Sequence, residues 1–265
     1  MIFCNLRGGL GNMLFQIAAT KSFSIKKNVE CSFPNLINHL EYLNQDSEFN
    51  YNLKHSLEYL TFLNKLETNK LNNQYKVINY PFDFIEILPN DGDLVNGFFQ
   101  SEKYFKDNRK EVLDFINLKN CIDLSKSKYK NLFDNKCTSI HVRRGDYLKY
   151  PNHHPVQSIE YYLEGMNLLK DKSDVFLIFS DDIEWCKENF KNFDNTIYIE
   201  GEKDYIELYL MSLCDNNIIS NSSFSWWGAW LNENENKTVI GPKKWFGSEI
   251  THNTGDVLPE KWIKI

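Results

Sequence analysis

The chain has 265 residues, enough for one large α/β domain or two modest ones. With 42% hydrophobic and 15% aromatic residues it can build real cores, which excludes a disordered chain. A formal charge of −6 excludes wholesale electrostatic binding of nucleic acid, while leaving room for a local basic pocket.

The opening "MIFCNL" has the length and apolarity of a strand, "RGGLGN" is a glycine-rich turn, and "MLFQIAATKSFSIKK" is a helix with Leu14, Ile17 and Ala18 on one side. The opening apolar run is too short for a signal-peptide core, and no stretch approaches 18 uncharged apolar residues. Cys4, Cys31, Cys121, Cys137, Cys186 and Cys214 are scattered without a C-x-x-C pair, which suits reduced, buried thiols in a cytoplasmic protein. Residues 41–66 have an amphipathic helical pattern. "ETNKLNNQYKVINYP" is polar and reads as an insertion or loop, and "NDGDL" at 90–94 as a plain turn. A boundary near 120–136, where "DLSKSKYKNLFDNK" is rich in Lys, Ser and Asn, divides the chain into domains 1–125 and 126–265.

Beyond that boundary, "CTSIHV" (137–142), "DVFLIFS" (174–180), "NTIYIE" (195–200), "NNIIS" (216–220) and "KTVIG" (237–241) are runs of strand length. Between them, Ile159, Tyr162, Leu163, Met166 and Leu169 share one helical face. Ile206, Tyr209, Leu210 and Leu213 share another, with Asp204 as its N-cap. Strand alternating with helix predicts a parallel sheet, whose ligands bind at the carboxyl ends of the strands.

Three such ends carry chemistry. After Ile140 and Val142 come Arg143, Arg144, Gly145 and Asp146. Two adjacent guanidiniums repel each other unless an anion sits beside them. They offer bidentate donors that match phosphate oxygens, and Asp146 can brace one of them. Ser180, Asp181 and Asp182 follow the next strand. A carboxylate there can accept hydrogen bonds from guanine, hold a metal, or cap a helix. Asn221 to Ser225 open a helix carrying Trp226, Trp227 and Trp230, tryptophans that suit core packing better than a sugar platform. A nucleoside diphosphate would satisfy all three ends. The loop holding Gly9, Gly11 and Asn12 lacks the third glycine of a dinucleotide fingerprint and the lysine of a P-loop.

"HVRRGDY" at 141–147, "RGGLGNMLFQIA" at 7–18 and "SSFSWWGAWL" at 222–231, with "EWCKEN" and "LPEKW", resemble the α-1,2-fucosyltransferases of glycosyltransferase family 11. The resemblance implies an inverting, metal-independent enzyme with no cofactor beyond its GDP-fucose co-substrate. Its expected fold is α/β, two Rossmann-like domains facing a cleft in a GT-B-like arrangement. The domain 1–125 would lie on the acceptor side, and 126–265 would bind GDP-fucose. By the resemblance, His141 would lie near guanine and Arg143 on the β-phosphate. Arg144 and Asp146 would shape and brace the site, these two and Arg143 forming its catalytic group, and Asp181 or Asp182 would touch guanine. Ser223 and Ser225, with Phe224 between them, would meet the phosphates, and Asn12 would lie near donor and acceptor. From their position alone, His153 and His154, in the loop after the arginines, would either approach an acceptor or stand as solvent-exposed loop histidines. The sequence departs from the family pattern at Met13, usually glutamine, and at Ile17, usually tyrosine, both on the expected acceptor side.

The expected partners are GDP-fucose and a saccharide acceptor, galactose or a related hexose, without nucleic acid or stable membrane insertion. The expected location is cytoplasmic, peripheral to membrane-linked glycan synthesis. The competing readings are transfer of another sugar, another acceptor or linkage, fucosylation of a protein hydroxyl, and a non-catalytic nucleotide- or RNA-binding module. A lectin would not need the arginines.

Overall fold

A computed structural model describes residues 1–36, 75–124 and 127–265. The amphipathic segment 41–66 lies outside the described residues. The chain forms two compact units, Met1–Asn117 with Asn253–Pro259, and Leu118–His252 with Glu260–Ile265. The division falls at Asn117, against the boundary at 125/126 drawn from the sequence, and residues 253–259 return to the first unit, where Lys103 pairs with Asp256.

In the first unit, β1 (Ile2–Cys4) leads into α1 (Leu10–Lys27), β2 (Cys31–Ser32), β3 (Val77–Asn79), β4 (Leu94–Asn96) and α2 (Arg109–Ile116). Its sheet runs β2-β1-β4-β3 with every pairing parallel. The edge strand β3 corrects the sequence reading of 67–81 as insertion or loop where it falls on 77–79; residues 67–74 lie outside the described residues. Val77 and Asn79 are exposed, so this strand has no apolar run to announce it. α1 buries Leu14, Phe15, Ile17, Ala18 and Phe23 against this sheet and closes on Asn28 in the left-handed conformation, φ 53°.

The second unit holds β5 (Cys137–Val142), α3 (Ile159–Leu169), β6 (Val175–Ser180), α4 (Ile183–Asn189), β7 (Thr196–Tyr198), α5 (Asp204–Ser212), β8 (Asn216–Ile218), α6 (Ser223–Leu231), β9 (Val239–Gly241) and β10 (Ile263–Lys264). These strands make one parallel sheet in the order β10-β9-β8-β5-β6-β7. Lys203 occupies the N-cap of α5, so Asp204 is its first helical residue rather than the cap. Ile140, Val142, Ile178, Ile218 and Ile240 from the sheet pack with Tyr162, Met166 and Phe190 in the core. On α6, Trp226 and Trp227 are fully buried and Trp230 nearly so, in mutual contact at 5.1–6.1 Å between ring centroids, and Trp262 joins Trp226 at 5.5 Å. They are core, as the sequence suggested. No helix among the described residues is long and apolar enough to cross a membrane.

Candidate functional site

Strand order places the site. From β5 the chain moves outward through β6 and β7, then returns to β5's other side at β8. Such a switch point leaves a crevice at the strands' carboxyl ends, where α/β proteins hold ligands. The loops there are those after β5 and β8, which carry Arg143 and Ser220–Ser225, with the loop after β6 alongside. His141, at the end of β5, joins the two sides: its Nδ1 lies 3.0 Å from Ser220 Oγ. The ring is buried, and burial with the nearby Arg143 charge pushes its pKa down to about 3, so it stays neutral at pH 7. Phe224 lies across it, ring centroids 5.5 Å apart.

The adjacent arginines have different environments. Arg143 reaches Asp146 at 2.6 Å and Asp181 at 3.0 Å, and its guanidinium lies 5.5 Å from the Tyr147 ring centre. Arg144 turns the other way: Nε bonds Asp182 Oδ2 at 2.9 Å, and the guanidinium lies 4.2 Å over the Trp185 ring. The expectation that both guanidiniums face the diphosphate therefore does not hold here; Arg144 is locked into the wall. Three carboxylates surround two guanidiniums. Asp146 is the most exposed of the three.

The carboxylates expected to touch guanine are also occupied. Asp181 Oδ1 accepts from the Arg144 N–H at 2.9 Å, and its Oδ2 pairs with Arg143. Asp182 caps α4 through Oδ1, accepting from the Trp185 N–H at 3.3 Å, and spends Oδ2 on Arg144. Gly145 is required here because a Cβ would overlap the Asp181 carboxylate. The sequence reading missed Glu207, in the first turn of α5. Burial, with Asp204, Glu202 and Asp181 nearby, pushes its pKa up to about 8. A lone acid inside the apolar run "YIELYL" was the signal that could have found it.

At the start of α6, Ser222 caps the helix by accepting from the Phe224 N–H, 3.3 Å. Ser225 is fully buried and donates to Ser222 O at 3.2 Å, so it braces the turn rather than facing the crevice. Ser223 and Phe224 are half-buried and remain at its rim. His154 belongs to this unit too, stacked on Tyr147 at 4.7 Å, with Nδ1 buried and without a hydrogen-bond partner. Tyr147 in turn donates from its hydroxyl to Asn221 O at 3.0 Å. Among the described residues, no cluster of three or more His, Cys, Asp or Glu is arranged for a metal.

In the other unit the loop after β1 ends at Gly9, the N-cap of α1, and Gly11 and Asn12, read from the sequence as part of the turn, lie in the first turn of that helix. Two side-chain amides hold that loop as a strand partner would. Gln16 accepts from the Arg7 N–H at 2.9 Å and donates to Arg7 O at 3.0 Å, while Asn35 does the same for Leu6 at 2.8 and 2.7 Å. Asn12 accepts a bond from Gln100 at 2.7 Å. Met13 and Ile17 are 1% and 0% exposed, so these departures lie in the core and do not line an acceptor surface as expected.

Residues 53–265 match Glycosyl transferase family 11. An Escherichia coli protein named alpha-1,2-colitosyltransferase is 32% identical over 100% of this chain and 99% of its own. A galactoside alpha-(1,2)-fucosyltransferase 1 of Leontocebus fuscicollis is 29% identical over 35% of this chain and 28% of its own. An Arabidopsis thaliana FUT1 mutant solved with GDP superposes with a TM-score of 0.50 at 12% identity, covering 90% of this chain and 69% of that one, which bears on the fold alone. The two α/β units with parallel sheets are the fold of GT-B glycosyltransferases. With matches over its whole length and a charged crevice at the switch point of its second sheet, the chain belongs to glycosyltransferase family 11.

Proposed function

We propose that this glycosyltransferase moves L-fucose from GDP-fucose to a sugar hydroxyl in α-1,2 linkage, with inversion at the anomeric carbon and without a metal ion. The observation that carries the reading is the group at the β5–β8 switch point: Arg143 beside the exposed Asp146, a neutral His141 tied to Ser220, and the rim of α6, with Glu207, after β7, close enough to Asp181 to feel its charge. The names of the relatives support the α-1,2 linkage and a glycan acceptor. Domain 126–265, reaching back to Leu118, is read as the donor-binding half and the first unit as the acceptor side.

The chemistry follows from the charges. As the bond from anomeric carbon to phosphate breaks, the sugar gains oxocarbenium character and the departing GDP gains negative charge. Arg143, after exchanging Asp146 for the β-phosphate, stabilises that charge, with the Ser223 hydroxyl and the N–H groups at the start of α6 beside it. Asp181 keeps the guanidinium aimed. With both aspartates occupied, Glu207 is the carboxylate left to accept from the guanine N1–H and amino group, and it loses its proton on binding. A dissociative transition state asks little of a base at the acceptor hydroxyl.

Calorimetric titration with GDP-fucose in EDTA-containing buffer, with UDP-galactose as competitor, tests the reading. The expected result is saturable GDP-fucose binding with no UDP-galactose response, followed by transfer to a galactoside. Preference for UDP-galactose would overturn it. A second donor, the GDP ester of colitose, belongs in the same assay because the whole-length relative is named for colitosyl transfer.

A further inference from the structure

The first sheet has its own switch point, between β1 and β4, where the glycine loop and residues 97–101 lie side by side. The Arg7 guanidinium lies 4.4 Å from the Phe98 ring centre, and a side-chain hydrogen bond also joins the two segments. Gln100, 8% exposed, donates from Nε2 to Asn12 Oδ1 at 2.7 Å. The backbone beside this bond is strained. Three non-glycine residues among those described have positive φ: Asn28 and Asn117, which close α1 and α2, and Phe99. Asparagine adopts that conformation readily at helix ends. A phenylalanine does not, yet Phe99 holds φ 54° while fully buried, with the Ser101 N–H donating to its carbonyl at 2.7 Å. Such strain persists where the surroundings impose it, and here it lies immediately before Gln100.

The other side of Asn12 is equally close. Gly8 has φ 82°, and a Cβ on it would come within 2.8 Å of Asn12 Nδ2. The carboxamide is thus held at Oδ1 by Gln100, while Nδ2 lies beside the exposed Gly8, whose missing side chain leaves it room. An amide has two ends of similar shape and opposite polarity; turned over, it would offer an acceptor where a donor now stands.

We propose that Gln100 is a positioning residue, holding the Asn12 carboxamide so that Nδ2 is a fixed hydrogen-bond donor to a substrate oxygen at the carboxyl edge of the first sheet. This rests on the glycosyltransferase reading above. Gln100 touches no substrate and acts only through Asn12.

Gln100→Leu and Gln100→Glu test it, with Asn12→Ala and the double variant Asn12→Ala/Gln100→Leu. The glutamate is nearly isosteric but places an acceptor against Asn12 Oδ1. Both Gln100 variants are expected to lose about 10- to 100-fold in kcat, the scale of a small misplacement of a group that orients substrate, while GDP affinity stays at the wild-type value. The double variant is expected to be no slower than Asn12→Ala alone. Wild-type kcat in Gln100→Glu, or additive losses in the double variant, would overturn the proposal; if Gln100→Leu misfolds, Gln100→Glu decides. Should the wild-type chain transfer no fucose at all, the functional reading falls separately. The positioning claim is then read from the Asn12 side-chain NH2 signals in 15N–1H spectra, assigned with Asn12→Asp: shifted by Gln100→Glu if it holds, unmoved if it does not.

Discussion

Replacing the two adjacent arginines one at a time should damage different properties. Arg144 is 17% exposed, bonded to Asp182 and stacked on Trp185. A hydrogen bond between charged groups contributes about 1.5–3 kcal/mol, and a guanidinium over an aromatic face about 0.5–1 kcal/mol. Arg144→Ala should therefore cost roughly 2–4 kcal/mol, a Tm fall of about 4–16 °C for a domain of this size. Arg143 is 34% exposed and pairs with Asp146, 56% exposed, and with Asp181, 26% exposed, so solvent screens these pairs and their loss costs about 0–2 kcal/mol. Its effect belongs in the rate: Arg143→Ala should lower kcat by about 10²–10³, as removal of a single transition-state stabiliser does. Arg144→Lys keeps the charge but not the planar fork, and should recover less than half of the lost stability. Differential scanning calorimetry paired with initial rates at saturating donor separates the two effects. A larger Tm loss in Arg143→Ala than in Arg144→Ala would refute this division of labour.

Two further predictions concern protons. Glu207 has its folded pKa raised to about 8 from 4.5, so its contribution to stability is complete below pH 4.5 and lost as pH rises through 8. Glu207→Gln should gain in Tm relative to wild type between pH 5 and pH 9, and should abolish the release of about one proton that GDP binding causes at pH 7, read from titrations in buffers of different ionisation heat; undiminished release in the variant would remove Glu207 from the guanine site. His141 is the opposite case. Its folded pKa of about 3 lies below 6.5, so its contribution is present above pH 6.5 and lost as pH falls toward 3. Urea titrations between pH 7 and 4 should show a loss of up to about 1.4 kcal/mol per pH unit that is absent in His141→Gln, and an unchanged slope would mean that another group carries the acid sensitivity.

The second sheet was legible because parallel strands buried on both faces appear as continuous apolar runs. "CTSIHV" coincides with β5 from end to end. The edge strand β3 was not, since two of its three residues face solvent. The arginines, His141 and the serine turn were legible by type, and their strand-end positions were correct. Their partners were not. Arg144 and Asp182 are 38 residues apart, and His141 and Ser220 are 79 apart. Nothing local in either stretch tells a guanidinium which carboxylate it will meet. Glu207 stayed hidden for a related reason: helical spacing marks the apolar face, and an acid drawn into a crowded corner looks there like any solvated glutamate.

The tryptophan packing around α6 has a practical consequence. All six tryptophans of the chain, Trp185, Trp226, Trp227, Trp230, Trp245 and Trp262, fall in the second unit. Intrinsic emission excited at the indole band is therefore a reporter on that half alone. Loosening of the first unit would pass without a spectral change, and a denaturation curve followed by emission would appear to be a single transition whether or not the two halves unfold together. Circular dichroism, which weighs both halves, would separate from the emission curve wherever their stabilities differ.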